Sequence, residues 1–206
     1  MTGRATPPRG YTLIELMVAT AIVGILAGVG VWRIDTLLPR WRTDAAARRF
    51  VLDVRQAQAI AARLNRAARI ELDLDGDDRC TGPLYRIVAN GTSYDSVCLA
   101  EEYRGVTIAG AGAQSIAGFG CGKNVPLDAS GCTFCDGGAG ALLVLPTGEV
   151  LRAGGDPNGE AILFAPAADA ARGDPTHVRG VLVRTGTGVA RAYRLASGPS
   201  PHWDCT

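Results

Sequence analysis

Hydrophobic positions follow three regimes along the chain. From Tyr11 to Trp32, 22 residues carry one charge, Glu15. Such a run predicts a continuously apolar helix. At about 1.5 Å per residue it spans roughly 33 Å, enough for a hydrocarbon core of about 30 Å. Arg33 to Arg42 leaves the apolar run, and Pro39 predicts a kink or break near Leu37 because proline lacks a donor and clashes with the preceding turn. Asp44 is placed to cap a resumed helix. There Ala47, Phe50, Val54, Ala57, Ala61 and Leu64 recur three and four residues apart, which is one apolar stripe. Arg48, Arg49, Asp53, Arg55, Arg63 and Arg66 are assigned to the opposite, polar face.

After Ala67 the period drops to two. Ile70, Leu72 and Leu74 alternate with polar residues as in a half-buried strand, and Asp-Gly-Asp-Asp turns the chain back. Strands are then expected at LYRIVA, SVCLA, GVTIAG, ALLVLP, EVLRA, AILFA, RGVLVRT and GVARAYRL, separated by glycine- and proline-rich punctuation. One amphipathic helix followed by many antiparallel strands reads as an α+β head, with the helix lying across the sheet.

The length of 206 residues fits one such head plus an apolar anchor. Net charge is +1, and every basic residue except Lys123 is arginine. Global charge therefore predicts no strongly polyanionic partner. The six cysteines, Cys80, Cys98, Cys121, Cys132, Cys135 and Cys205, all lie beyond the apolar run. In an oxidising compartment disulfides are their default use, and six cysteines permit about 15 pairings. Cys80 and Cys98 flank one expected hairpin and are the preferred pair; the others are left to pair among themselves.

The start of the chain, a short basic leader to Gly10 and then Tyr-Thr-Leu-Ile-Glu-Leu-Met before the apolar helix, resembles the type IV prepilins and their secretion-system relatives, the pseudopilins. The resemblance implies cleavage between Gly10 and Tyr11 by a prepilin peptidase, methylation of the new Tyr11 amine, and retention of the helix in the inner membrane. Arg4 and Arg9 would hold the leader on the cytoplasmic side, leaving the head in the periplasm until it joins a filament there or at the cell surface. Removing the leader would change the net charge to −1. A lone carboxylate in an apolar helix needs a partner. The resemblance implies one for Glu15, the Tyr11 ammonium of a neighbouring subunit.

The helix text FVLDVRQAQAIAARLNRAARIELDL and the order GVTI, LLVLPTGEV, AILF, VRGVLVRTGTGVARAYRL are similar to minor pilins and pseudopilins of the GspH/FimT group. That implies a ladle-shaped pilin fold with two β-sheets on a long helix. It divides the chain into a leader (1–10), a membrane or filament-core helix (11–32), an amphipathic helix interrupted at Pro39 (33–66) and a disulfide-bearing β-rich head (67–206). The implied partners are other major and minor pilins or pseudopilins. The implied role is structural, at the tip or in the priming of a type IV pilus or a type II secretion pseudopilus. The glycine-rich segment 109–140 departs from the group in length and content.

Other chemistry is weighed against plainer readings. Cys132-x-x-Cys135 could be a redox pair or half a zinc site, but no second CxxC exists, and beside the remaining cysteines the chain offers only His177 and His202 as the two further zinc ligands. Asp73, Asp75, Asp77 and Asp78 are calcium candidates, although their spacing misses the EF-hand pattern and a solvated hairpin turn accounts for them. Arg184, Arg191 and Arg194 lie in a stretch without acids and are DNA candidates. Some related minor pilins take up DNA through Gly-Arg-x-Arg. The text here is Gly188-Val189-Ala190-Arg191, which lacks the first arginine. Strand alternation puts Val189, Arg191 and Tyr193 on one face and Arg194 on the other. No nucleophile constellation is present, so no enzymatic activity and no cofactor is expected.

Overall fold

The computed structural model describes residues 11–206 except 114–115, 117, 121–124, 126, 128, 153–154, 156–157, 197–201 and 205–206; the side chains of 29–36 are also outside the description. The leader, Cys121 and Cys205 therefore lie outside the described residues. The chain forms two compact units, Met1–Leu38 and Pro39–Thr206.

Helix α1 runs from Leu13 to Leu64 with Pro39 inside it. The break expected near Leu37 is not present. Proline removes one backbone donor, and the helix continues on both sides. One turn later the Thr43 hydroxyl donates to the Pro39 carbonyl at 2.8 Å. The apolar stripe is where the three-and-four spacing put it: Ala47, Phe50, Val54, Ala57 and Ala61 are buried, joined by Ala46 and Ile60.

The head contains two antiparallel sheets. The first is built from β1 (Ala68–Asp73), β2 (Leu84–Ala89), β3 (Thr92–Cys98), β5 (Cys135–Asp136), β6 (Ala139–Val144) and β7 (Val150–Leu151), in the order β3-β2-β1-β6-β5 with β7 also on β6. The second is built from β4 (Val106–Ile108), β8 (Glu160–Pro166), β9 (Arg179–Val183), β10 (Ala190–Ala196) and β11 (His202–Asp204), in the order β11-β10-β9-β8-β4. Short helices α2 (Leu99–Glu102) and α3 (Ala167–Arg172) fill connections, as does a 3-10 turn at Pro175–His177. The tail of SVCLA is thus the start of α2 rather than strand.

Both sheets close on α1. Ile70, Leu72, Tyr85, Ile87, Leu142 and Val144 from the first sheet share one buried cluster with Phe50, Val54 and Ala57 of the helix and with Ile162, Phe164, Val181 and Val183 of the second. Phe50 meets Tyr85 edge-on at 5.1 Å and Phe164 at 6.0 Å, so one ring touches both sheets. Gln58 ties the helix to two turns: its side-chain amide donates to the carbonyls of Gly148 at 2.7 Å and Gly188 at 3.1 Å.

The second sheet is covered on its other face as well. Ala111, Ala113, Phe119 and Val125 of the glycine-rich segment pack with Leu163, Leu182, Tyr193, Leu195 and Trp203. This is why β8 is buried at every residue. Phe119 is edge-on to Trp203 at 4.7 Å and to Tyr193 at 5.5 Å. It has room only because residue 180 is glycine: a Cβ there would fall within the Phe119 ring's van der Waals envelope.

Asp53 corrects the polar-face assignment. Its side chain is 2% exposed. The carboxylate accepts from the Tyr85 hydroxyl at 2.7 Å and from Arg49 Nε at 2.8 Å, and Arg49 Nη2 also reaches Asp95 at 2.6 Å. Burial pushes the Asp53 carboxyl up, while the Tyr85 hydrogen bond and Arg49 pull it down. Burial, then Asp53, pushes the Tyr85 hydroxyl up, so it remains a donor. A buried acid is tolerated when its acceptor oxygens are filled in this way. The network locks α1 to β2 and β3.

Two outcomes follow for urea unfolding of the detergent-solubilised chain. Asp53→Ala leaves a buried hydroxyl without its acceptor and is expected to cost about 2–3 kcal/mol, with Asp53→Asn costing less because an acceptor remains for Tyr85. Gly180→Ala is expected to cost about 1–3 kcal/mol by overpacking, and the cost should shrink in a Phe119→Leu background.

Candidate functional site

The segment expected to carry processing and assembly lies at the start of α1. Tyr11 and Thr12 precede the helix, and Tyr11 is 91% exposed. Thr12 and Glu15 form a reciprocal cap. The Glu15 carboxylate accepts from the Thr12 backbone N–H and from its hydroxyl, each at 3.0 Å, and the Glu15 N–H donates back to the Thr12 hydroxyl oxygen at 3.3 Å. This is the Thr-x-x-Glu capping box, which satisfies donors that a helix N-terminus leaves open. Thr12 is a residue the sequence reading missed, although the four-residue pattern was there to be read. The Thr12 N–H belongs to the peptide after Tyr11, so a cut between Gly10 and Tyr11 leaves the cap intact.

Beyond the cap, Leu13, Ile14, Leu16, Met17, Val18, Ile22, Val23, Ile25 and Leu26 are all exposed. Apolar side chains all round a helix belong in a bundle or a membrane rather than on one face of a core. Among the described residues no helix is long and apolar enough to cross a membrane.

The remaining candidates are dispersed. Cys80 is bonded to Cys98, and Cys132 to Cys135. Cys132 and Cys135 therefore occupy each other, leaving no thiolate pair for zinc. In the acidic turn, Asp73 accepts from the N–H groups of Asp75 and Gly76, and Asp77 from those of Arg79 and Cys80. These are carboxylates spent on shaping a turn. Among the described residues no three metal-ligating side chains gather.

The basic C-terminal candidates do not all share one face. Arg191 shares a face of β10 with Tyr193, while Arg194 projects from the other face and pairs with Asp204 at 3.6 Å. Arg184 lies just beyond β9, exposed. His177 Nδ1 lies 2.8 Å from Asp169, which also holds Arg172. Through these contacts Asp169 ties α3 to the 3-10 turn at Pro175–His177.

Residues 8–31 match a family model described as "Prokaryotic N-terminal methylation motif". No curated protein and no solved structure matches the chain. The matched stretch contains Gly10, Tyr11, Thr12 and Glu15, and the motif supports a type IV pilin-like protein that is structural in role, assembles with other pilins and is processed by a prepilin peptidase.

Proposed function

We propose that this chain is a minor pilin or pseudopilin of the GspH/FimT type, held in the inner membrane through Tyr11–Trp32 with its head outside, and then drawn into a filament at its tip or in its priming complex. The observation that carries the reading is the match to the methylation motif over residues 8–31, a stretch that contains Gly10, Tyr11 and Glu15. The exposed apolar side chains from Leu13 to Leu26 support it. So does a head of two antiparallel sheets closed on the same helix.

Glu15 has two tasks in this mechanism. In the separate subunit it caps α1 through Thr12. In the filament it faces the Tyr11 ammonium of a neighbour, where the pairing of two desolvated charges sets axial register.

Mass spectrometry of the mature chain tests the processing step: an N-methylated Tyr11 is expected, and an intact Met1 or a cut after the apolar run overturns the reading. The two tasks of Glu15 separate by substitution. Glu15→Gln keeps the capping bonds but not the charge, and is expected to lower incorporation into filaments at least about tenfold at normal membrane levels. If Glu15→Gln assembled normally and Glu15→Ala did not, Glu15 would be a helix cap alone.

A further inference from the structure

The first turns of α1 within the head carry a surface that neither the core nor the ion pairs use. Trp41 is 74% exposed, whereas the head's other tryptophan, Trp203, is buried. Thr43, Ala46, Ala47 and Phe50 are buried and mark the core-facing side of the helix. At about 100° per residue Trp41 lies opposite them, with Arg40 and Arg42 on its flanks.

A distant segment joins this turn. Arg42 Nη1 donates to the Arg104 carbonyl at 2.9 Å, which pins the connection between α2 and β4 against the helix. Arg40 and Arg104 are exposed. Among the described residues no carboxylate pairs with Arg40, Arg42 or Arg104. The acids closest in sequence are engaged elsewhere. Asp44 holds Arg48 at 2.9 Å and Arg179 at 3.2 Å, and Glu101 and Glu102 line a cleft with Arg79 and Arg86. Three arginines without a carboxylate partner thus accompany one exposed indole.

Arg40 follows Trp32 by eight residues, a reach of roughly 12 Å at the helical rise. Helical side chains lean toward the helix N-terminus, here toward the apolar run. A bilayer's headgroup zone is about 5–7 Å deep on each side, and long arginine stems cover the difference. Charge placement adds a separate argument. Arg33, Arg40 and Arg42 stand on the head side of the apolar run, offset by Asp35, against Arg4 and Arg9 in the leader. Basic flanks favour the cytoplasmic side, so arginines on the opposite side work against the proposed orientation and call for a use there.

We propose that Arg40, Trp41, Arg42 and Arg104 form a docking surface for anionic phospholipid headgroups on the membrane face that the head occupies. The inference rests on the membrane-anchored reading and gives the waiting subunit a fixed seat on the bilayer. Indoles favour the boundary between hydrocarbon and water, and guanidiniums bind phosphate through paired N–H groups. Each arginine near an anionic surface is worth about fivefold in the docked-to-free ratio. The bond from Arg42 to the Arg104 carbonyl makes the seat a property of the folded head rather than of α1 alone. A seat built on charge is released without disturbing the core, as extraction into a filament requires.

The test uses the full chain purified from membranes and reconstituted into phosphatidylcholine vesicles with or without phosphatidylglycerol. The readout is shielding of Trp41 from acrylamide, taken as the difference between the wild-type chain and Trp41→Phe. Trp41 is expected to be shielded in phosphatidylglycerol vesicles at low salt. It should be open in phosphatidylcholine alone, and at about 1 M salt, where the screening length is about 3 Å. Arg40→Glu with Arg104→Glu should lower the docked-to-free ratio at least about twentyfold with unchanged melting, and Arg40→Gln alone about fivefold. Arg55→Glu with Arg63→Glu makes the same charge change at exposed positions further along α1 and should behave as wild type.

Equal shielding in both kinds of vesicle overturns the proposal. So does loss of shielding in the Arg55 and Arg63 variant, since overall charge would then be the cause. Shielding that grows with protein density in the vesicles also overturns it and assigns Trp41 to a subunit contact. Mass spectrometry of the same preparations separates this seat from the reading beneath it: methylated Tyr11 with an open Trp41 refutes the seat and leaves the filament role standing, whereas an intact Met1 refutes that role.

Discussion

The head is organised around one stripe of α1. Phe50 is its pivot, with Tyr85 of the first sheet on one side and Phe164 of the second on the other. Burial of this stripe between them is what joins two antiparallel sheets into one core. The same helix carries the methylation motif at its other end.

Directional contacts then fix what hydrophobic burial leaves loose. A stripe of alanines with one phenylalanine, one valine and one isoleucine can slide or rotate on a sheet at little cost, because apolar contact has no direction. The Tyr85–Asp53–Arg49–Asp95 network and the Gln58 amide bonds have direction, and each reaches a different part of the head. Their position at the margin of the stripe sets the helix in register against β2, β3 and the turns at Gly148 and Gly188.

The glycine-rich segment has a structural use that its composition conceals. Such stretches are usually surface loops. Here Phe119 anchors it on Tyr193 and Trp203, and the apolar residues around it form a second core on the far face of β8 and β9. The glycines that make the segment look loose include positions whose backbone adopts a positive φ, such as Gly131 at 80°, pressed against Ala109 with no space for a side chain.

Much was written in short-range pattern. The three-and-four spacing of α1, the period of two in β1 and the continuous apolar run of β8 mark elements whose burial depends on residues two to four positions apart, and these can be read directly. The Thr12–Glu15 cap is equally local and was open to the same reading. Tertiary structure decided what depends on residues distant in the chain. Asp53 looks like a surface acid until Tyr85, 32 positions away, supplies a hydroxyl to it. Arg48, Arg179 and Arg194 look like scattered surface charge until β9 and β10 bring them to one cleft beside α1. The helix continues through Pro39 although proline removes one of its backbone donors, a continuity that its local sequence does not reveal. Periodicity reports which face of an element is apolar; which charges come together on the other face is set by strand pairing across the whole chain.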